Sequence, residues 1–360
     1  MTFTIGDIAV GREHAPLIVA EMSGNHNGSL EGALAIVDAI ATTGAQALKI
    51  QTYTPDTMTL DIATGAFLIE DGTSLWAGRT LHSLYGEAQT PWEWHEPIFR
   101  RAREHGLLAF STPFDAGAVE FLETLNVPAY KIASFENIDL PLIRRVSVTG
   151  KPVIISTGMA TLAEIDDAVR AARDAGCQQL ALLKCTSNYP ATPESSNLNT
   201  IPYLRSMFEC EVGLSDHTLG LGAALASVAL GSTLIEKHVT LDRSAGGVDA
   251  AFSLEPLELR QLVHETAAAW SALGVIQTGP TATERSSLRF RRSLYICEDM
   301  EAGDELNRDN LRAIRPGFGL PPKFIDDLIG KRVARRVARG TPASWDLFGG
   351  SNAVRNAAGA

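Results

Sequence analysis

Two histidines, His217 and His238, close successive apolar runs, VGLSDH (212 to 217) and TLIEKHVT (233 to 240). On neighbouring strands their imidazoles converge on one divalent cation, and two nitrogens leave positions open for water and substrate, as a catalytic metal requires. No thiolate spacing accompanies them and the surroundings are rich in oxygen, which favours Mn2+ or Mg2+ over zinc. Lys49, Thr112, Lys131, Ser134 and Ser156 close other apolar runs. Together they are a ring of cationic and hydroxyl donors suited to phosphate and carboxylate oxygens. The STG at 156 to 158 adds small residues whose backbone N–H groups can approach a phosphate. Glu21 closes the first run, ahead of SGNHNG. It is a candidate general acid/base or water-orienting group, and an ion pair with one of the lysines is its competing role.

These residues need elements that bring them together. Eight runs each end in a residue able to do chemistry: LIVAEMS (17 to 23), QALKIQT (46 to 52), LLAFSTPF (107 to 114), AYKIAS (129 to 134), PVIISTGM (152 to 159), LALLKCTS (180 to 187) and the two histidine runs. Most intervals hold Ala/Leu/Glu/Arg-rich segments of helical periodicity. Strand then helix, eight times over, predicts an α/β fold, a (β/α)8 TIM barrel that works at the C-terminal ends of its strands. Those ends gather Glu21, Lys49, Gln51, Thr112, Lys131, Ser134, Ser156, Lys184, His217 and His238. Side chains alternate along a strand, so Glu236 and His238 share a face with Lys237 opposite, and Lys49 shares a face with Gln51.

Composition excludes several classes. The chain has 360 residues, 45% hydrophobic and 20% charged, which suits a soluble barrel of about 250 residues with a smaller unit attached. No apolar run reaches the roughly 20 residues of a membrane span. MTFTIGDIAVGREH lacks the basic start and apolar core of a signal peptide, so the cytoplasm is the expected compartment. A net charge of −11 argues against a nucleic-acid partner. Lysines at strand ends of so acidic a chain predict a local positive pocket for a small anion. Cys177, Cys185, Cys210 and Cys297 show no CxxC spacing and read as buried thiols, not disulfides or a thiolate zinc site.

Along the chain, residues 1 to 16 predict a short ribbon. A helix is expected at 92 to 105, and residues 53 to 90 are an insertion beyond the usual barrel unit. Such insertions form substrate loops or lids; the alternative is a surface excursion whose tryptophans, Trp76, Trp92 and Trp94, pack outside the barrel. PLELRQLVHETAAAWSALG (256 to 274) predicts the eighth helix, ended by Gly274. The barrel unit is therefore expected at 1 to 275, a polar linker at 276 to 285 and a small turn-rich unit at 286 to 348. Residues 349 to 360 are expected to be disordered.

In order, AEMSGNHNGS, LKIQTYTPDT, FSTPF, YKIASFE, ISTGMAT, LKCTSNYP, VGLSDHTLG and IEKHVT resemble the phosphoenolpyruvate-dependent nonulosonic (sialic) acid synthases. Residues from about 286 to 348 resemble their C-terminal antifreeze-like (SAF, β-clip) domain. Within the family, KIQTYTPDT, the LW…LY…TPWEWH run and RPGFGLPPK look most like the pseudaminic acid synthases. The resemblance implies a metal-dependent condensation of phosphoenolpyruvate with 2,4-diacetamido-2,4,6-trideoxy-altrose, giving pseudaminic acid and phosphate by C–O cleavage. It implies that His217 and His238 bind the metal, Mn2+ or Mg2+. Lys49, Thr112, Lys131, Ser134, Ser156, Asn188 and Ser215 would hold phosphoenolpyruvate. Gln51, Tyr189, Glu236, Asp249 and Arg315 would meet the N-acetylated amino sugar, and Glu21 would act on the aldehyde oxygen or the attacking water. Arg315 matches an arginine that the tail domain of a second subunit supplies, which implies a domain-swapped homodimer. Lys184, where N-acetylneuraminate synthases tend to have histidine, and SAGGVDAAFS, in place of their GPDH-like run, are departures that concern the sugar pocket.

Other readings remain open on the residues. Legionaminic or N-acetylneuraminic acid synthesis would use the same mechanism, and the insertion's Phe67, Leu68 and Trp76 favour an acceptor with a deoxy methyl. Lys131 and Lys184 permit a Schiff-base aldolase. A non-catalytic carbohydrate-binding protein would use the tail unit on an inert barrel.

Overall fold

The computed structural model describes residues 3–72 and 74–348. The expected disordered tail, 349 to 360, lies outside the described residues. The chain divides into two compact units, residues 1–274 and the residues from 275 onward.

The first unit opens with an antiparallel pair, β1 (Phe3–Ile5) and β2 (Ile8–Val10), which is the expected ribbon. Eight parallel strands follow: β3 (Leu17–Glu21), β4 (Ala47–Thr52), β5 (Leu108–Pro113), β6 (Tyr130–Ile132), β7 (Val153–Ser156), β8 (Leu180–Cys185), β9 (Glu211–Asp216) and β10 (Leu234–His238). They pair in chain order, and β10 returns to β3 to close the barrel. Strands covered on both faces need apolar residues at nearly every position, which is why these read as continuous runs. Ile18, Leu48, Phe110, Ile154, Leu182, Val212 and Ile235 are all buried in one core. Each such side chain contributes roughly 1.5–3 kcal/mol relative to an exposed one. Gly213 is required on β9, because a Cβ there would meet the Leu234 carbonyl oxygen of the neighbouring strand at 2.2 Å.

The helices are α1 (Leu30–Ala41), α2 (Pro55–Met58), α3 (Leu81–Ala88), α4 (Trp92–Glu104), α5 (Ala116–Thr124), α6 (Leu140–Ser147), α7 (Leu162–Asp174), α8 (Thr200–Phe208), α9 (Gly222–Ala229) and α10 (Pro256–Leu273). Their starts follow ordinary capping chemistry. Ser29, Asp115 and Asp139 each accept from a backbone N–H of the first turn, and Thr161 with Glu164 forms a capping box. On α7 the buried Ile165, Ala168, Val169 and Ala172 lie at the three- and four-residue spacing of one face.

The insertion holds α2, a 3-10 turn over Gly65–Phe67, a bridge between Leu68 and Thr80, and α3. The tryptophans divide. Trp92 stacks on Phe121 of α5, with ring centroids 4.7 Å apart, and Trp94 meets His26 edge-on. Trp76 instead turns inward, as described below. The second unit has an antiparallel pair, β11 (Ser293–Ile296) and β12 (Leu311–Ile314), around its own core of Leu294, Ile296, Met300, Leu306, Leu311 and Leu328.

Candidate active site

A cavity of about 410 Å³ opens at the C-terminal ends of the barrel strands, within the range of small-molecule sites. The barrel contributes Lys49, Gln51, Lys131, Ser156, Cys185, Ser215, Glu236 and His238 directly from its strands. Strand register sets their level: His238 pairs with Glu21, Glu21 with Lys49, and both Cys185 and Glu236 with Ser215. A larger cavity of about 700 Å³ lies beside the first residues of β8 and β9, among Phe3, Arg173, Cys177 and Cys210. It is at the opposite end of the strands from the residues assembled here, the end that stabilises such barrels.

Three charged side chains, Lys49, Lys131 and Glu236, line the floor, and Glu21, fully buried and outside the lining, pairs with Lys49. Lys49 Nζ is 2.8 Å from Glu21 Oε2 and 3.7 Å from Glu236 Oε1, and Lys131 Nζ is 3.6 Å from the same Glu236 oxygen. Thr112 lies beneath them, accepting from Lys49 Nζ at 3.2 Å. Gln51 donates to Glu21 at 3.0 Å and to Ser23 at 3.1 Å. Burial raises the Glu21 carboxyl, helped by the Glu236 charge and opposed by Lys49. Burial works against Glu236 too, but Lys131, Lys49 and His217 outweigh it and hold that carboxyl below its ordinary value. Two carboxylates pushed apart in this way divide the work: Glu236 stays ionised between the lysines, and Glu21 is the group placed to carry a proton. Burial lowers Lys131, whereas Glu21 and Glu236 overcome burial at Lys49 and raise it.

Ser156 Oγ is buried and has no hydrogen-bond partner. A buried hydroxyl left so is unsatisfied until a ligand arrives, and with Lys131, Ser134 and Ser215 it makes a cradle for an anion. The Gly158 N–H is not free for that cradle: it donates to Ser134 Oγ at 3.1 Å. Gly158 itself must be glycine, since a Cβ would stand 2.2 Å from Ser187 Oγ and 2.6 Å from Ser134 Oγ.

The two imidazoles face each other with centroids 5.3 Å apart, boxed by Tyr189 at 4.5 Å from His217 and Phe252 at 4.9 Å from His238. His217 Nδ1 donates to the Thr186 carbonyl at 2.9 Å, which leaves its Nε2 with a lone pair. Burial, reinforced by His217 and the lysines, drives His238 far below its usual range, so its imidazole is neutral. Its Nδ1 is buried without a hydrogen-bond partner, 3.6 Å from Asp249 Oδ2. Burial works against a charge on His217, but Cys185 outweighs it and raises that imidazole, so His217 would have to release its proton before the two ring nitrogens, beside a carboxylate, could hold a divalent cation. Among the described residues no group of three or more His, Cys, Asp or Glu is placed to hold a metal ion, and a cation on the two imidazoles would need its other ligands from water or substrate. Asp249 is itself held: Ser23 Oγ donates to its Oδ2, and its backbone N–H donates to Asn25 Oδ1 at 3.3 Å.

Not every expected residue joins the cavity. Asn188 is exposed and its neighbour Tyr189 takes the lining position. Lys184 alternates with Cys185 and points out of the barrel, donating to the Cys185 carbonyl at 2.7 Å and to Thr186 Oγ1 at 3.1 Å. Of the two lysines open to Schiff-base chemistry, therefore, only Lys131 reaches the cavity. Lys237 pairs on the outer side with Asp216 at 2.8 Å, opposite Glu236 and His238 as alternation requires. Arg315 is exposed on the second unit. Phe67 and Leu68 do not line the cavity, whereas Trp76 does. Sequence reasoning missed Glu136, whose Oε2 is buried without a partner and whose carboxyl burial raises to about 7. It also missed Ser23 and Cys185 in the lining; Cys185, despite burial, is drawn down to about 7 by His217.

Barrel, charged mouth and convergent imidazoles define an enzyme. The chain belongs to the NeuB family: residues 36–278 match the NeuB family model, and residues 291–349 match the SAF domain. It is 43% identical to pseudaminic acid synthase of Campylobacter jejuni over 90% of this chain and 94% of that protein. It is 32% identical to N,N'-diacetyllegionaminic acid synthase of Legionella pneumophila over 91% of this chain and 93% of that one. Among solved structures, the N-acetylneuraminic acid synthetase of Leptospira borgpetersenii superposes with a TM-score of 0.71 at 32% identity, covering 81% of this chain and 96% of that one.

Proposed function

We propose that this enzyme condenses phosphoenolpyruvate with open-chain 2,4-diacetamido-2,4,6-trideoxy-altrose to give pseudaminic acid and phosphate. The observation that carries the reading is one cavity holding both an anion cradle, with the unpartnered Ser156 hydroxyl beside Lys131, and the paired imidazoles of His217 and His238. The choice of acceptor follows the 43% identity to a pseudaminic acid synthase, against 32% to a legionaminic acid synthase.

In this reading Lys49, Lys131, Ser134, Ser156 and Ser215 hold phosphate and carboxylate, with Thr112 fixing Lys49 from below. C3 of phosphoenolpyruvate forms a bond to the aldehyde carbon, and water adds to the resulting cation at C2. The tetrahedral intermediate then breaks its C2–O bond and releases phosphate. Glu21, whose protonated form burial favours, delivers a proton to the nascent hydroxyl, or as carboxylate takes one from the incoming water. A Mn2+ or Mg2+ ion on His217 and His238 would polarise the aldehyde oxygen as a Lewis acid. Gln51, Glu136, Tyr189 and Asp249 face the acceptor, and Glu236 keeps both lysines oriented. Arg315 would reach the mouth from the tail unit of a second copy, making the working form a domain-swapped homodimer. Cells supply phosphoenolpyruvate in the cytoplasm, where this chain would act.

The test is phosphate release from phosphoenolpyruvate with Mn2+, comparing the altrose sugar, the legionaminic precursor and N-acetylmannosamine. Release with the altrose sugar alone supports the reading. Release with only another acceptor overturns the choice of sugar, and none with any overturns the reaction.

A further inference from the structure

Barrel and insertion give the cavity two walls of opposite chemistry. The barrel wall is mostly charged or hydrogen-bonding, with Phe114, Ala133, Phe135 and Val248 its apolar members. Among the described residues, the wall from the 53–90 insertion consists of Met58, Ile69, Trp76, Leu81, Leu84 and Ala88, with the hydroxyls of Tyr53, Ser74 and Tyr85. Trp76 adds no donor, because its Nε1 already donates to the Val248 carbonyl at 3.0 Å. Tyr53 is locked edge-on between Tyr85 at 5.8 Å and Phe114 at 5.1 Å. A sugar hydroxyl pressed against this wall loses its water partners and gains few others, whereas a methyl loses nothing.

We infer that the insertion is the acceptor-selecting element, and that Met58, Ile69, Trp76 and Leu81 take the methyl groups of an acceptor with two acetamido groups and a deoxy end. This rests on the proposed function and deepens it: the barrel does the phosphoenolpyruvate chemistry, and the insertion chooses the sugar. An acceptor with a terminal hydroxyl and a single acetamido group presents its polar end where the wall offers methyl contacts. Discrimination by a pocket of this kind is about 10- to 200-fold per methyl group.

The experiment compares Met58→Gln and Ile69→Thr with the wild-type enzyme, reading kcat/KM for the 6-deoxy diacetamido sugar and KM for phosphoenolpyruvate. The expected result is a fall of about tenfold or more in kcat/KM for the sugar with an unchanged KM for phosphoenolpyruvate. An unchanged kcat/KM for the sugar overturns the inference and leaves the proposed reaction standing. No phosphate release by the wild-type enzyme with any acceptor overturns the reaction and the inference with it. A readout independent of the variants' folding is saturation-transfer NMR on the wild-type protein with the diacetamido sugar. Strongest transfer to the acetamido and C6 methyl protons supports the assignment, and uniform transfer along the chain of the sugar overturns it.

Discussion

Glu21 and Glu236 share one ammonium, that of Lys49, at 2.8 Å and 3.7 Å, yet burial and charge move their carboxyls in opposite directions. Burial thus favours the protonated form at Glu21, while Lys131 and Lys49 favour the ionised form at Glu236. Glu21→Gln should lower kcat by about 10²–10⁴-fold while leaving the KM for phosphoenolpyruvate within a few-fold. Steady-state kinetics on both substrates checks this, and a change confined to KM would reassign Glu21 to binding.

Lys237 follows Glu236 in sequence but serves the fold. Its ammonium is fully buried, paired with Asp216 and donating to the Thr218 carbonyl. Asp216→Asn would leave that charge uncompensated and should destabilise the protein by about 3 kcal/mol. Urea unfolding measures the loss. An effect below about 0.5 kcal/mol, the range of ordinary surface changes, would mean that Lys237 finds another partner.

The tryptophans should separate stability from recognition. Trp92→Ala removes the stack on Phe121 and should cost about 2 kcal/mol of stability with kcat/KM for both substrates nearly unchanged. Trp76→Ala should spare stability more and raise the KM of the sugar. Thermal melts beside acceptor kinetics report both, and the reverse pattern would place Trp76 in a structural role.

His95 predicts a pH effect on stability. Burial lowers its imidazole from 6.5 to about 4, against backbone hydrogen bonds at Pro91 and Trp92 that favour the cation. Below pH 6.5 the unfolded chain takes up a proton that the folded chain refuses, so stability falls as pH drops from 6.5 to 4. At about 1.4 kcal/mol per pH unit the loss is about 3 kcal/mol, complete near pH 4. Urea midpoints across that window should show the decline, and in His95→Gln it should flatten. An unchanged slope in the variant would assign the acid sensitivity to other groups.

Asn25 holds the loop that carries Asp249. Its Nδ2 donates to the Val239 carbonyl and to Ser253 Oγ, both at 2.8 Å. On the proposed reading, in which Mn2+ sits on His217 and His238 beside Asp249, Asn25→Ala should weaken Mn2+ binding about ten- to hundredfold, with kcat falling alongside. Calorimetric titration of Mn2+ checks it. Unaltered affinity would show that residues 246–253 keep their course without Asn25.

The barrel was legible because most strands are apolar runs that end at or near a polar residue, a pattern that parallel strands buried on both faces impose. Alternation correctly separated Lys237 from Glu236 and His238, and the same rule applied backward from Cys185 would have turned Lys184 outward. Glu136 left a fainter trace. It lies two residues beyond Ser134 in a 3-10 turn, where neither strand nor helix period applies. Asn188 and Tyr189 are consecutive loop residues, and only the loop's path decides which of them faces inward. The insertion has no sustained period, and nothing in the sequence separates its Trp76, which lies inside, from Trp92 and Trp94 of α4, which lie outside.

The 53–90 insertion leaves the barrel after β4 and rejoins it at α4, and none of the proposed bond-making residues lies between those points. The enzyme is therefore modular in an inheritable sense. Replacing that one continuous stretch of gene would change the apolar side of the acceptor site, while Gln51, Glu136, Tyr189, Asp249 and the residues proposed for phosphoenolpyruvate pass on unaltered.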